Sequence, residues 1–155
     1  MSWAVLVLWL FVMNLGVAFG AGLYEHRIVV SRWLANGQWN AEAARQDDTG
    51  RRFWAFVSTG PLTLLTIANI FAGWHASGDL RLWWLGAAFT ELAGRLFTFS
   101  FFIPTMIGLM KAEDSPASVA RARRWSRMNY LRHALVLTAW VLSLNAFSMC
   151  RSFGS

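Results

Sequence analysis

The chain has 155 residues, 56% of them hydrophobic and only 14% charged, with 10 Trp and 12 Phe. Soluble domains carry about 25% charged residues, so the deficit excludes an ordinary soluble globule and points to lipid as the surrounding solvent. The net charge of +6 does not signal nucleic acid, because the basic residues gather in loops between apolar segments rather than along one stripe.

The first apolar run, about 3–23, is longer than a signal-peptide core and lacks a positive leader, so it reads as a retained span. Gly16 and Gly20 are four apart, as are Ala18 and Gly22, which puts small residues on one side of this helix for close packing. Glu25 and His26 close the run. Beyond them, Ile28-Val29-Val30 and Trp33-Leu34 either prolong the helix or lie along the membrane interface. Asp47-Asp48-Thr49-Gly50 is a turn with a cap for the second run, about 53–74, in which Gly60-Pro61 predicts a kink. The short loop from His75 to Arg81 makes the second and third runs antiparallel neighbours. The third run, about 82–110, contains Pro104, whose missing N–H leaves a carbonyl in need of another partner. Ser115 caps and Pro116 starts the next helical stretch, which leads into the fourth run, about 125–149.

Each run meets the ~20 residues needed to cross ~30 Å of hydrocarbon as a helix. The expected fold is therefore all-α, a single domain (1–155) built as a polytopic bundle of four transmembrane helices. Trp3, Trp54, Trp74, Trp83, Trp84 and Trp125 fall near the ends of the runs, where an aromatic belt at headgroup level is expected. The first loop holds Arg27, Arg32, Arg45, Arg51 and Arg52. The third holds Lys111, Arg121, Arg123, Arg124 and Arg127, against Arg81 and Arg151 on the other side. The positive-inside rule places loops 24–52 and 111–124 in the cytoplasm and both termini outside, as in a bacterial inner membrane.

Glu91, Arg95, Arg132 and His133 lie inside these runs. Each buried charge in hydrocarbon costs at least ~2.5 kcal/mol, so such groups face one another, a cavity or a ligand. Glu91 and Arg95 are four apart and can pair directly, with Thr98 and Phe102 continuing their stripe. Trp125, Asn129 and Arg132 follow i, i+4, i+7, and His133 sits one turn from Asn129. Depth places Glu25, Arg132 and His133 in one lower tier and the Glu91–Arg95 pair in an upper, scaffolding tier. A purely structural ion pair is the competing reading of the upper tier. A fixed contact to Glu25 or to a backbone carbonyl is the competing reading of Arg132 and His133. His75 lies at the opposite end, so three histidines cannot converge on a metal. Glu25, His26 and His133 are the one set that can, and only His133 is placed as a haem ligand. The lone Cys150 excludes a Cys-rich cluster, and no catalytic triad or phosphate-binding glycine loop is present.

Phe102-Ile103-Pro104-Thr105-Met106, followed by a basic loop and Trp125-Ser126-Arg127-Met128-Asn129-Tyr130-Leu131-Arg132, resembles the anthrone-oxygenase-like membrane proteins. Pro104, Trp125, Asn129 and Arg132 match that family's aromatic-Pro and Trp–Asn–Arg positions, while the N-terminal half, with Glu25-His26, matches loosely. The resemblance implies an integral membrane oxidoreductase that oxidises a lipophilic aromatic such as an anthrone or quinol, without a dedicated cofactor. Glu25 or His133 would then be the base, with Asn129 beside them. Arg132 and Arg95 would stabilise the anion, Glu91 would orient Arg95, and Phe99, Phe102 and Trp125 would form an aromatic wall. The competing expectation is a non-enzymatic binder of a lipid or hydrophobic anion, or a small transporter or assembly subunit. The bilayer and a lipophilic small molecule are the expected partners, and a homo-oligomer is compatible with so small a bundle.

Overall fold

The computed structural model describes residues 2–152, with side chains described throughout except at Asn36, Asp48, Thr49, Arg51, Arg151 and Ser152. Arg51 and Arg151 of the charge comparison, and Asp48 and Thr49 of the turn, therefore carry no side-chain description. All regular structure in the described residues is helical, and four helices are long and apolar enough to cross a membrane. This is a multi-pass membrane protein.

The first span, Trp3–Trp33, is α1 (Trp3–Tyr24), a widened π-turn (Glu25–Val29) and α2 (Val30–Trp33). The first helix is thus prolonged rather than laid along the interface. The loop holds the short helix α3 (Ala41–Gln46), capped by Asn40, whose side chain accepts from Ala43 N–H at 2.9 Å. The helix α4 (Asp48–Phe53) follows, with the Asp47 carboxylate accepting from Gly50 N–H at 3.0 Å, the expected cap. A π-turn (Trp54–Thr59) joins α4 to α5 (Gly60–Trp74). The third span is α6 (Gly78–Phe97), a π-turn (Thr98–Phe102) and α7 (Ile103–Lys111). Then α8 runs unbroken over Pro116–Ser152, starting nine residues earlier than its apolar stretch at 125 suggests. Ser115 caps it as expected, accepting from Ser118 N–H at 3.1 Å.

Three of the four spans therefore carry a π-turn, and all three lie toward the arginine-rich end. Two have a visible cause. Pro61 and Pro104 each follow a widened turn by two residues, and a proline ring clashes with the carbonyl four residues back unless that turn opens. Pro61 also leaves Val57 without its usual donor, and the Asn14 side chain supplies one at 2.9 Å from the first span. In the third span Trp125 donates to the Phe102 carbonyl at 3.2 Å.

Packing divides into two cores. Leu8, Phe11, Leu15, Leu62, Ala87 and Ala139 close the half away from the arginines. There Trp84 is 3% exposed and donates to Asn69 Oδ1 at 2.8 Å, so it belongs to the core and not to the aromatic belt. Trp125, 7% exposed, leaves the belt for the same reason, its N–H being satisfied inside; Trp3, Trp74 and Trp83 remain outward. The second core joins Val30, Trp33, Trp39, Ala44, Phe102, Leu109 and Trp125. The loop is bound into it: Trp39 Nε1 donates to Leu109 O at 2.9 Å and Arg45 Nη1 to Met110 O at 2.8 Å. Leu109 and Met110 sit in the last turn of α7, where helical carbonyls run short of amide donors, and Leu109 O also accepts from Ala112 N–H at 3.2 Å. The loop is thus the cap of the third span. The turn into it needs Gly37, which adopts φ 75°. On the outer face, bonds from Arg45 and Gln46 hold the Glu42 carboxyl below the usual carboxylate range.

Of the small residues on α1, Gly22 meets His133 and Gly16 meets Trp140, the close packing expected, whereas a Cβ on Gly20 would meet nothing within 4 Å, so the Gly16–Gly20 pair does not form a packed stripe.

Candidate functional site

A cavity of about 310 Å³ opens between the arginine-rich halves of the spans, within the range of about 300–1,000 Å³ usual for small-molecule sites. Each of the three π-turns contributes to its wall: Glu25 from the first, Trp54, Ser58 and Thr59 from the second, Thr98 and Phe102 from the third. Widened turns of this kind concentrate at functional sites, because they push side chains out of helical phase.

Arg95, Arg132 and His133 also line the cavity, so the two tiers expected from depth meet in one site. Arg95 Nε lies 2.7 Å from Glu91 Oε1, with Glu91 fully buried behind it. The approach is close but poorly angled, and both Glu91 oxygens and Arg95 Nε lack a directional hydrogen-bond partner. The pair is held by charge.

Arg132 is different. Its guanidinium sits 4.7 Å from the Phe102 ring centre and 5.8 Å from that of Trp54. Among the described residues it makes no hydrogen bond or ion pair with a protein group; Glu25, Arg95 and Glu91 act on it through charge at longer range. A guanidinium offers five N–H donors, and here two aromatic faces hold it while those donors remain available. The Trp54 indole and the Glu25 carboxylate are neighbours on the cavity wall, near enough for the indole to act on the carboxylate's charge.

His133 Nε2 and His26 Nδ1 are buried without partners, and the two rings meet edge to face with centres 5.8 Å apart. His26 lies outside the cavity, packed on Tyr130 at 4.5 Å. Among the described residues no three His, Cys, Asp or Glu groups converge as a metal set, so Glu25, His26 and His133 do not form one; His75 is exposed at the opposite end.

Of the residues expected in the site, Glu25, Arg95, Phe102, Trp125, Arg132 and His133 reach the cavity. Three do not. Asn129 is buried behind the wall, its amide donating to Trp125 O at 3.3 Å, so it supports Trp125 instead of facing a ligand. Glu91 lies one layer back. Phe99 is 46% exposed and points outward; its neighbours Thr98 and Phe102 supply the cavity wall from this turn. Trp54 and Ser58 are site residues that the sequence left unassigned, and Thr98, expected only as part of the Glu91–Arg95 stripe, joins them. For Trp54 the signal was masked by its position at a span end, where a headgroup belt explains any tryptophan. No known family, characterised protein or solved structure matches this chain.

Proposed function

We propose that the protein is a membrane oxidoreductase that binds a lipophilic aromatic molecule bearing an acidic oxygen, of the anthrone or hydroquinone kind. The observation that carries this reading is Arg132, a cation set against two aromatic rings inside a mostly apolar cavity, with its N–H donors unclaimed by any acceptor among the described residues.

Such a group binds an anionic oxygen through a planar fork and stacks on an aromatic body. Deprotonation of a bound anthrone creates negative charge on its oxygen, where Arg132 and Arg95 can stabilise it away from bulk water. Glu25 and His133, both at the cavity wall, are the groups available to accept that proton. Dioxygen is the oxidant in this scheme. One oxygen atom replaces the two hydrogens of the anthrone methylene to give the quinone carbonyl, and the other leaves as water.

Purified protein in proteoliposomes, given 1,8-dihydroxyanthrone, should consume oxygen and produce the quinone faster than protein-free vesicles. Arg132→Ala and His133→Ala should each remove most of that excess rate. Equal rates with and without protein, or unchanged turnover in both variants, would overturn the reading.

The position of Glu25 beside Trp54 on the cavity wall favours one second reading, in which Glu25 is a structural carboxylate and the cavity only binds a hydrophobic anion. That reading expects the quinone product to bind, with loss in Arg132→Ala, and no turnover at all.

A further inference from the structure

We infer that the ligand enters this cavity sideways from the bilayer, through an opening between the second and third spans on the arginine-rich side. The inference rests on the cavity being a site for a lipophilic molecule.

The opening follows from how the spans are held. In the half away from the arginines, α5 packs along α6. Below that level the two spans take different neighbours: the turn Trp54–Thr59 packs against α1, whereas α7 packs against α8 and the loop helix α3. The divergence leaves cavity-lining residues that also face outward. Ile103 is 37% exposed, Ile107 is 45% exposed, and Ala55 is exposed as well, yet all three line the same space as Arg132. Side chains deeper in that space are closed off, with Ser58 at 3% and Thr98 at 6% exposure.

On the aqueous side the loop forms part of the cavity wall. Trp39 and Arg45 are hydrogen-bonded to the end of α7, and Ala44 and Asp47 of the same loop form part of the cavity floor. Ile107 lies four residues inside Lys111, about 6 Å along a helix, so the opening sits just below the headgroups. An amphipathic aromatic with one acidic oxygen rests at that depth in a bilayer, its polar end near the headgroups. It would slide between Ala55 and Ile107 with no need to cross water.

Photolabelling in proteoliposomes with a small bilayer-soluble trifluoromethylphenyl diazirine, mapped by mass spectrometry, tests this without a known substrate. Wild-type protein should carry adducts at Ser58 and Thr98 as well as on the outward Leu64 and Leu96. Ala55→Trp and Ile107→Trp should each lower the Ser58 and Thr98 adducts about fivefold and leave Leu64 and Leu96 unchanged. Ile103→Phe, a milder narrowing, should give a smaller drop and covers the case in which a tryptophan variant fails to insert. Absence of cavity adducts in wild type would overturn the entrance, as would a second copy shielding both Ile107 and Ser58. Cavity adducts that ignore all three narrowing variants and rise only in Trp39→Ala would move the entrance to the aqueous side. Adducts at Ser58 and Thr98 without anthrone turnover would retire the oxidoreductase reading and leave the entrance standing.

Discussion

Arg132 and Phe102 meet as cation and ring across two spans, 4.7 Å from guanidinium carbon to ring centre. Phe102 itself belongs to a widened turn, and its carbonyl is held by Trp125, two turns before Arg132 on α8. The ring, the cation and their support are therefore fixed by the same two helices. Arg132→Lys keeps the charge and removes the planar fork. We expect the affinity for 1,8-dihydroxyanthraquinone, read by fluorescence titration, to fall about tenfold, roughly 1.4 kcal/mol. Phe102→Leu should cost less, on the order of 0.5–1 kcal/mol for one cation–π contact. Wild-type affinity in Arg132→Lys would mean the fork does not hold the ligand.

Glu91 and Arg95 make a buried pair, with side chains 0% and 7% exposed. Removing one partner leaves the other charge alone in a medium that cannot solvate it. Glu91→Gln should therefore destabilise the bundle by roughly 3–5 kcal/mol, while Glu91→Leu with Arg95→Met should recover most of that loss. Unfolding in mixed micelles measures both. A double variant no better than the single one would show that the pair has a role beyond mutual neutralisation.

Gly22 and Gly20 are two residues apart on α1, on roughly opposite faces, and should respond oppositely to alanine. A Cβ on Gly22 would lie 2.7 Å from His133 Cε1, whereas one on Gly20 meets nothing within 4 Å. Gly22→Ala should destabilise by about 1–3 kcal/mol and displace the His133 ring. Gly20→Ala should be neutral or stabilising by roughly 0.5–1 kcal/mol, from helix propensity alone. Chemical shifts of the His133 ring report the displacement directly, and similar behaviour of the two variants would contradict the packing.

Asn14 stands in for the N–H that Pro61 lacks. Asn14→Leu leaves the Val57 carbonyl unsatisfied away from water and should cost about 1–3 kcal/mol. Adding Pro61→Ala should return much of it, because alanine brings back a donor. The double-mutant cycle isolates the coupling, and additive costs would mean the two residues act independently.

Local features of this molecule were legible in its sequence. The four spans follow from length and apolarity, the Asp47 and Ser115 caps from residue type, and the Glu91–Arg95 pair from i, i+4 spacing. Pro61 and Pro104 announced disturbed helices, but not that the disturbance would be a widened turn. That choice depends on partners far along the chain, Asn14 for Val57 and Trp125 for Phe102. Phe99 was misplaced because an aromatic residue one turn beyond Arg95 was assigned to the wall, whereas Thr98 and Phe102 are the residues of that segment that line it. Loop docking was also out of reach: nothing in Trp39 or Arg45 names the last carbonyls of α7 as their targets. Trp84 and Trp125 were drawn to the belt because chain position shows where a tryptophan lies along a span and not which way its ring turns.

The three π-turns give the bundle a join at one level. Each holds about one residue more than an α-turn, and one residue of an α-helix corresponds to about 100° of rotation. Losing a single residue from Glu25–Val29, Trp54–Thr59 or Thr98–Phe102 would close that turn to an α-turn and re-aim the turn's own side chains, while the helix on either side keeps its phase. The shape of the cavity is thus written in chain length as much as in side chains. A one-residue deletion could re-aim a whole wall, so this scaffold can change what it holds by losing a residue without altering the identity of any other.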